Sequence, residues 1–531
     1  MSIGRSFFAY AVTIVGVALF SFQPQAVKAQ EYGGTFIKAV ATEPSTLDHV
    51  FGFDFSAQTV MTNIYNPLIR LDYSFVPHPE LAESWKISDD GKTYTFKLRS
   101  DVKWTDGTKF TAEDVKFTFS KMTCEMHNRS STWCPKVESF ETVGDDVFII
   151  NMKQPFAALL TILADHNQGT LIRPKHVWEK GLDKNNPQLL KPVVSTGPFK
   201  FSKWVKGSHI ELVRNDKYFK KGLPYLDRVV IQFLPDEAGR LAAFQNGDID
   251  MLHSYILPYE QVKNFRKDPK FQIVEHGNES TGTNQNLLLN HNSEYLKHKQ
   301  VRQAIAHALD KESIADKVMF GASKVAHAHI AHGVKWAYFP EFDYKHDVKK
   351  ANELLDAAGF KRGSDGMRFA LRSYSLPASF HGRTQEVAKS QLRDVGIELK
   401  IRLLDRPTYI ELVFKTQDFD LAWQLFTTAP DPSLAVVHRY KSSSCMKPYT
   451  NACWKNKKYD ELTDGESLIT DVPKRAALWK QIEELLMEEL PAFPIFEMPN
   501  VQAVRAGFKD VIMDPLGYNG ILEHAYKSND S

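Results

Sequence analysis

The chain has 531 residues, too many for one compact core, so two or more lobes are expected. Lys plus Arg number 66 against 64 Asp plus Glu, and a net charge of +2 leaves no basic excess for nucleic acid. Hydrophobic content of 43% and charged content of 24% are those of an ordinary soluble protein.

Arg5 precedes a mostly apolar run from Phe7 to Phe22, and Val27-Lys28-Ala29 places small residues where a signal peptidase reads. A spanning helix needs about 20 apolar residues, and Pro24 follows this shorter run closely. Residues 1–29 are therefore expected to be a cleaved signal peptide, leaving a soluble exported chain from Gln30. No cysteine stands at that start to carry a lipid. Gly33-Gly34-Thr35-Phe36-Ile37 opens a strand, and Glu43-Pro44-Ser45-Thr46-Leu47-Asp48 forms a turn.

From Leu81 to Phe119 the sequence predicts a hairpin, a turn and a helix. Trp85 and Ile87 alternate on one strand, Asp90-Gly91 turns, and Tyr94, Phe96 and Leu98 alternate on the return. Trp104 packs ahead of a second turn at Asp106-Gly107, and Thr111 with Asp114 forms a capping box for a helix carrying Val115, Phe117 and Phe119. The order Ala82, Asp90-Gly91, Lys97-Leu98-Arg99, Trp104-x-Asp106-Gly107 resembles the signature of the bacterial extracellular solute-binding proteins (family 5) that serve peptide and nickel ABC importers. Thr196-Gly197-Pro198-Phe199, Arg240-x-x-Ala243-x4-Asp248-x-Asp250 and the VRQAIAHALDKESI text from Val301 are similar to the same family.

Later elements follow by pattern. Val229 to Phe233 is a strand, and Asp236 caps a helix with Leu241 and Phe244 inward and Gly247 at its end. Leu287-Leu288-Leu289 reads as a buried strand, and Val301, Ile305 and Leu309 as a helix face. A helix with Val387, Ala388, Leu392 and Val395 stops at Gly396, and Ile397, Leu399, Ile401 and Leu403 alternate as a strand. Phe419 to Phe426 is another strand, and Pro473 and Pro491 bracket a helix with Leu478, Ile482, Leu485 and Leu490. Strand–helix alternation implies sheets flanked by helices.

Cys124 with Cys134, and Cys445 with Cys453, are close pairs that suggest disulfides in an exported protein. Neither has the C-x2-C spacing of a zinc site.

The resemblance implies an α/β, two-lobed periplasmic binding protein (type II, cluster C) with an extra β-rich subdomain in lobe I. Lobe I would comprise residues 30–284 with the subdomain at about 75–190, lobe II residues 285–499, and 500–531 a return to lobe I. It implies a monomer that carries a small peptide or peptide-like ligand to an ABC permease. No nucleophile elbow, Walker loop or H-E-x-x-H is present, so neither an enzyme nor a cofactor is expected.

The segment Trp423-Gln424-Leu425-Phe426-Thr427-Thr428 before Asp431-Pro432 matches the family's ligand-lining segment, whose backbone pairs with peptides as an added strand. The resemblance places an acidic residue, which holds the peptide's ammonium, where this chain has Thr428. That departure keeps opine-like amino-acid conjugates among the expected solutes. Asp431-Pro432 is also an ordinary turn dipeptide. Arg372 is the candidate for a ligand carboxylate, although relatives carry their arginine within the Ser373–Gly382 loop. Glu43 stands where relatives place an acidic residue at the cleft edge, and equally within a turn. His327-x-His329-x2-His332 offers imidazoles for nickel or haem, with no carboxylates close by in the sequence. Trp133, Trp204, Trp336 and Tyr338 are expected in the core or the cleft wall.

Overall fold

The computed structural model describes residues 32–47, 55–127, 130, 133–166, 169–180, 193–254, 256–275, 282–377, 379–428, 430–447, 450, 453–499, 501–511, 515 and 521–528. The expected signal peptide lies outside the described residues.

Two sheets of mixed direction, each built around parallel strands, organise an α/β protein of two lobes. The first has seven strands in the order Phe271–Val274, Gln502–Arg505, Met251–Leu252, Thr35–Val40, Arg228–Phe233, His209–Arg214, Phe199–Val205. The second has five, in the order Ile397–Leu403, Phe369–Ser375, Leu421–Phe426, Asn284–Leu289, Ala492–Glu497. A four-stranded sheet of Ala82–Ile87, Thr93–Leu98, Val147–Met152 and Val137–Val143 forms the β-rich addition. Every strand of the five-stranded sheet falls between Asn284 and Glu497, and Gln502–Arg505 then rejoins the first sheet.

The hairpin forms as its residues dictate. Gly91 takes the positive φ of +69° that the turn demands. Tyr94, Phe96 and Leu98 are buried, whereas a bulge near Ser84 re-aims the first strand, leaving Trp85 half-buried and Ile87 43% exposed. The capping box is present: Asp114 accepts from Thr111 N at 2.9 Å and from Trp104 Nε1 at 3.3 Å. Gly197 is required for another reason. A Cβ there would stand 2.4 Å from the backbone carbon of Ile64, whose carbonyl accepts from Gly197 N at 2.8 Å.

The second sheet begins with Asn284–Leu289, buried at every position. Its edge strand is less buried than the alternation predicts, since Leu403 is 52% exposed. The predicted strand from Phe419 starts instead at Leu421. Cysteines 124 and 134 are bonded with Cα atoms 5.5 Å apart, and 445 and 453 with Cα atoms 4.2 Å apart. Among the described residues no helix is long and apolar enough to cross a membrane.

Strand direction decides where a site can form. Thr35–Val40 runs parallel to Arg228–Phe233 and Met251–Leu252, and Gln502 opens an antiparallel strand at their carboxyl end. In the second sheet, Phe369–Ser375 and Leu421–Phe426 run parallel, and Asn284, paired with Phe426 and Glu497, lies at their carboxyl end. Both chain crossings, from Val274 to Asn284 and from Glu497 to Gln502, join these carboxyl ends. The second crossing reaches at most about 18 Å when fully extended. The two carboxyl ends therefore lie close together, and the crevice outside such ends is where open α/β sheets bind ligands.

Candidate ligand-binding site

Leu421–Phe426 is a strand buried on both sides, and its alternation separates two environments. Leu421 and Trp423 pack with Leu287, Leu371 and Leu392, and Trp423 Nε1 donates to Ser373 Oγ at 3.0 Å. Trp423 is thus part of the lobe core, not of a cleft wall. Ala422 and Phe426 join the opposite apolar mass with Tyr409, Phe414 and Tyr440, and Gln424 shares their face. Tyr409 OH donates to Trp423 O at 3.1 Å and to Gln424 Oε1 at 3.4 Å.

The edge of this strand toward Phe369–Ser375 is paired only at Leu421 and Ala422, whereas the ladder with Asn284–Leu289 runs its full length. Beyond that point Tyr409 takes the Trp423 carbonyl, and Arg439 Nη1 donates to the Thr427 carbonyl at 3.1 Å. The Arg439 guanidinium also lies over the Phe426 ring, 3.9 Å from its centre. Thr428 is fully buried and its Oγ1 has no hydrogen-bond partner among the described residues.

Other predicted residues have structural partners. Asp431 caps the helix Pro432–Tyr440 through Ser433 N, and both its oxygens receive Arg475 at 2.6 Å. Burial disfavours the Arg475 charge, yet Asp431 and Glu466 more than offset this and raise its pKa. The Asp431 charge is thus paired with Arg475. Arg372 is clamped by Asp420, at 3.1 Å from Nε, and by Asp418, and these bonds raise its pKa. Glu43 accepts from Trp204 Nε1 at 2.7 Å and Gly207 N at 3.0 Å, which fastens the turn after Phe199–Val205.

The three histidines do not converge. His327 Nδ1 meets Asp343 at 2.7 Å, His329 Nδ1 meets Glu483 at 2.9 Å, and His332 Nδ1 meets Glu497 at 2.6 Å. Each has its own carboxylate, brought from a distance in the chain that a reading of neighbouring residues did not reach. Among the described residues no group of three or more His, Cys, Asp or Glu is placed to hold a metal ion. Trp133 is a core residue, stacked edge-on against Phe119, and Trp336 lies under the Arg475 guanidinium.

Several buried polar atoms at the facing sheet ends have no partner among the described residues. On the second sheet they are Thr428 Oγ1, Thr283 Oγ1 and Asn284 Oδ1; on the first, Ser254 Oγ, Lys38 Nζ and both amide atoms of Gln502. Lys38 pairs with Met251, and Met251 with Val504, so Lys38 shares a sheet face with Met251 and Val504. Continuing the pairing of Leu252 with Ala503 sets His253 beside Gln502 at the carboxyl end of that face. Burial pushes Lys38 down to about 7, and burial with the Lys38 and Arg240 charges holds His253 well below its usual range. Buried polar groups are ordinarily satisfied, so these atoms make the facing sheet ends the candidate ligand-binding site.

Sequence reasoning missed Lys38, Gln502 and Arg439. A lysine within Thr35–Val40 looks like the solvent side of an amphipathic strand, and Arg439 like the charged end of a surface helix. No periodic signal distinguishes them.

A family model for bacterial extracellular solute-binding proteins, family 5, matches residues 76–448. The oligopeptide-binding protein AppA of Bacillus subtilis is 30% identical over 496 residues, covering 89% of this chain and 87% of that protein. Among solved structures, the binding protein AgaA in complex with agropinic acid from A. tumefaciens R10 has 25% identity and a TM-score of 0.70, covering 94% of this chain and 99% of its own. NikZ from Campylobacter jejuni in complex with Ni(L-His) has 25% identity and a TM-score of 0.72, covering 92% and 97%. Shared sequence over most of both chains and a shared two-lobed fold lead to one conclusion: this chain belongs to the bacterial extracellular solute-binding proteins, family 5.

Proposed function

We propose that this protein is the periplasmic solute-capturing component of an ABC importer, that it holds a peptide or peptide-like solute between its lobes, and that it delivers the solute to a membrane permease without chemical change. The lobes are those of residues 30–284 with 500–531, and 285–499, and residues 1–29 are removed on export. The bonded cysteine pairs fit an oxidising compartment.

The observation that carries this reading is the set of unpartnered buried donors and acceptors at the facing sheet ends. Leaving a hydroxyl or amide unsatisfied costs about 1–3 kcal/mol, and a polar solute enclosed there would offset that cost. Beyond Ala422 no strand pairs with this edge among the described residues, and although Tyr409 and Arg439 take the Trp423 and Thr427 carbonyls, the rest of the edge supports a peptide-like solute whose extended backbone would add as a strand. Solute contacts made to both lobes favour the closed form only by their difference between closed and open states. Opine-like conjugates, such as the agropinic acid bound by AgaA, remain within this class because Thr428 brings no carboxylate. Nickel or haem finds less support, since the three histidines are held apart by separate carboxylates.

The test is a thermal-shift screen of the mature chain with dipeptides, tripeptides, opines, nickel–histidine and haem. At 100 times Kd a bound solute adds about 2.7 kcal/mol of stability, readily seen as a rise in Tm. Stabilisation by a peptide or opine is the expected result. Stabilisation by nickel–histidine or haem alone would contradict the reading.

A further inference from the structure

Three arginines lie on or near the Leu421–Thr428 segment, and two are neutralised. Arg475 is enclosed by Asp431 and Glu466, and Arg372 by Asp418 and Asp420. Arg439 has no carboxylate partner among the described residues. Its Nη1 holds the Thr427 carbonyl and its face covers Phe426, while Nε is buried with no partner. The edge formed by Nε and Nη2, which a carboxylate takes side-on with two parallel hydrogen bonds, is thus unused.

Carboxylates of this region are engaged elsewhere: Asp431 and Glu466 by Arg475, Asp464 by Lys441, Asp460 by Ser442 N, and Glu483 by His329 through Oε1, its Oε2 being buried without a partner among the described residues. One residue beyond the carbonyl that Arg439 holds, Thr428 Oγ1 is buried without a partner and is able to donate. Arg439 is thus a cation without a carboxylate partner among the described residues at this end of the segment, and it stands beside a hydroxyl able to donate. Such an arrangement repels an ammonium group and suits a planar oxyanion.

Resting on the reading of a peptide-like solute between the lobes, we infer that the solute presents a carboxylate, not an ammonium, to the Phe426–Thr428 end, where Arg439 and Thr428 receive it. The solute class is then one with a carboxylate at this end and no need of a free α-amino group: N-blocked peptides, peptides docked by their carboxyl terminus, or N-carboxyalkyl amino acids. Burial without a carboxylate also pulls the Arg439 pKa down to about 10, a cost that a bound carboxylate would reverse.

The experiment is calorimetry on the mature chain with four probes: alanyl-leucine, its C-terminal amide, its N-acetyl derivative and N-(1-carboxyethyl)-leucine. Each is measured on the parent, Arg439→Gln and Arg439→Lys, with folding of the variants checked by thermal denaturation. The parent is expected to prefer acids over the amide by at least about tenfold, the size of one charge-assisted bond, and to tolerate N-acetylation. Arg439→Gln should reduce that preference to within about threefold, with Arg439→Lys between, since it keeps the charge without the fork. Loss of binding on N-acetylation, or an acid preference that survives Arg439→Gln, overturns the inference while the peptide-like reading stands. If the Gln variant fails to fold, the acid-to-amide ratio in the parent and in Arg439→Lys decides alone: equal ratios in the two overturn it. Binding of none of the four probes to the parent overturns the peptide-like reading and this inference together.

Discussion

Two buried polar clusters in this molecule follow opposite rules. Around Arg475, Asp431 accepts through both oxygens, Glu466 accepts from Arg475 and Trp479, and Asp431 also caps a helix. Around the facing sheet ends, Lys38, Gln502, Thr283 and Thr428 are equally buried and have unpartnered atoms. The first cluster is complete within the chain, so its role is to hold the lobe together. The second lacks partners for those atoms among the described residues, and under the proposed function a solute supplies them.

Breaking the satisfied cluster should have the largest effect. Arg475→Met leaves two buried carboxylates without their cation and is expected to cost about 3–5 kcal/mol, measured by urea unfolding. A loss below about 1 kcal/mol would remove the distinction between the clusters.

Lys38→Met should act in the opposite direction and stabilise the solute-free protein by about 1–3 kcal/mol at pH 6. Lys38 falls to about 7 in the folded state from an ordinary 10.5. Between those values the unfolded chain holds the proton and the folded chain does not, so parent stability rises with pH across that window. The penalty is complete below about 7 and fully relieved above 10.5, and the advantage of the variant should shrink accordingly. Chemical denaturation of both proteins at pH 6, 8 and 10 checks it; an advantage independent of pH would contradict the account.

Thr428→Ala sharpens the comparison on the binding side. Removing an unpartnered buried hydroxyl relieves a cost of about 1–3 kcal/mol against about 1 kcal/mol for the lost methyl, so folding stability should hold level or rise, yet solute binding should weaken by about 0.5–1.5 kcal/mol. Calorimetry alongside urea unfolding separates the two; weakened folding with unchanged binding would place Thr428 in the structural cluster. The smallest effect is expected at the exposed Lys457–Glu461 pair, at 91% and 63% side-chain exposure, where Lys457→Ala should shift stability by less than about 0.5 kcal/mol.

How much of this was legible in the sequence depended on range. Local devices were visible: the Thr111–Asp114 box, the Asp90-Gly91 turn and the close cysteine pairs all act within about ten residues and formed as expected. The family resemblance carried the architecture. The site was harder to read. Leu421–Phe426 is apolar on both faces, so alternation could not tell that Trp423 turns toward the lobe core and Phe426 away from it. Asp431 read as a turn and a ligand contact, because Arg475, which occupies it, lies 44 residues away. The His327–His332 cluster offered imidazoles with no carboxylate in view for the same reason, its carboxylates being 16, 154 and 165 residues distant.

The most direct test of the central claim is a crystal structure of the mature protein with the tightest-binding solute of the thermal-shift screen. The account predicts a solute enclosed between the two sheets, with polar atoms within about 3.2 Å of Thr428 Oγ1 and of the Gln502 amide. A solute held elsewhere, with Thr428 and Gln502 still unpartnered beneath closed lobes, would contradict it.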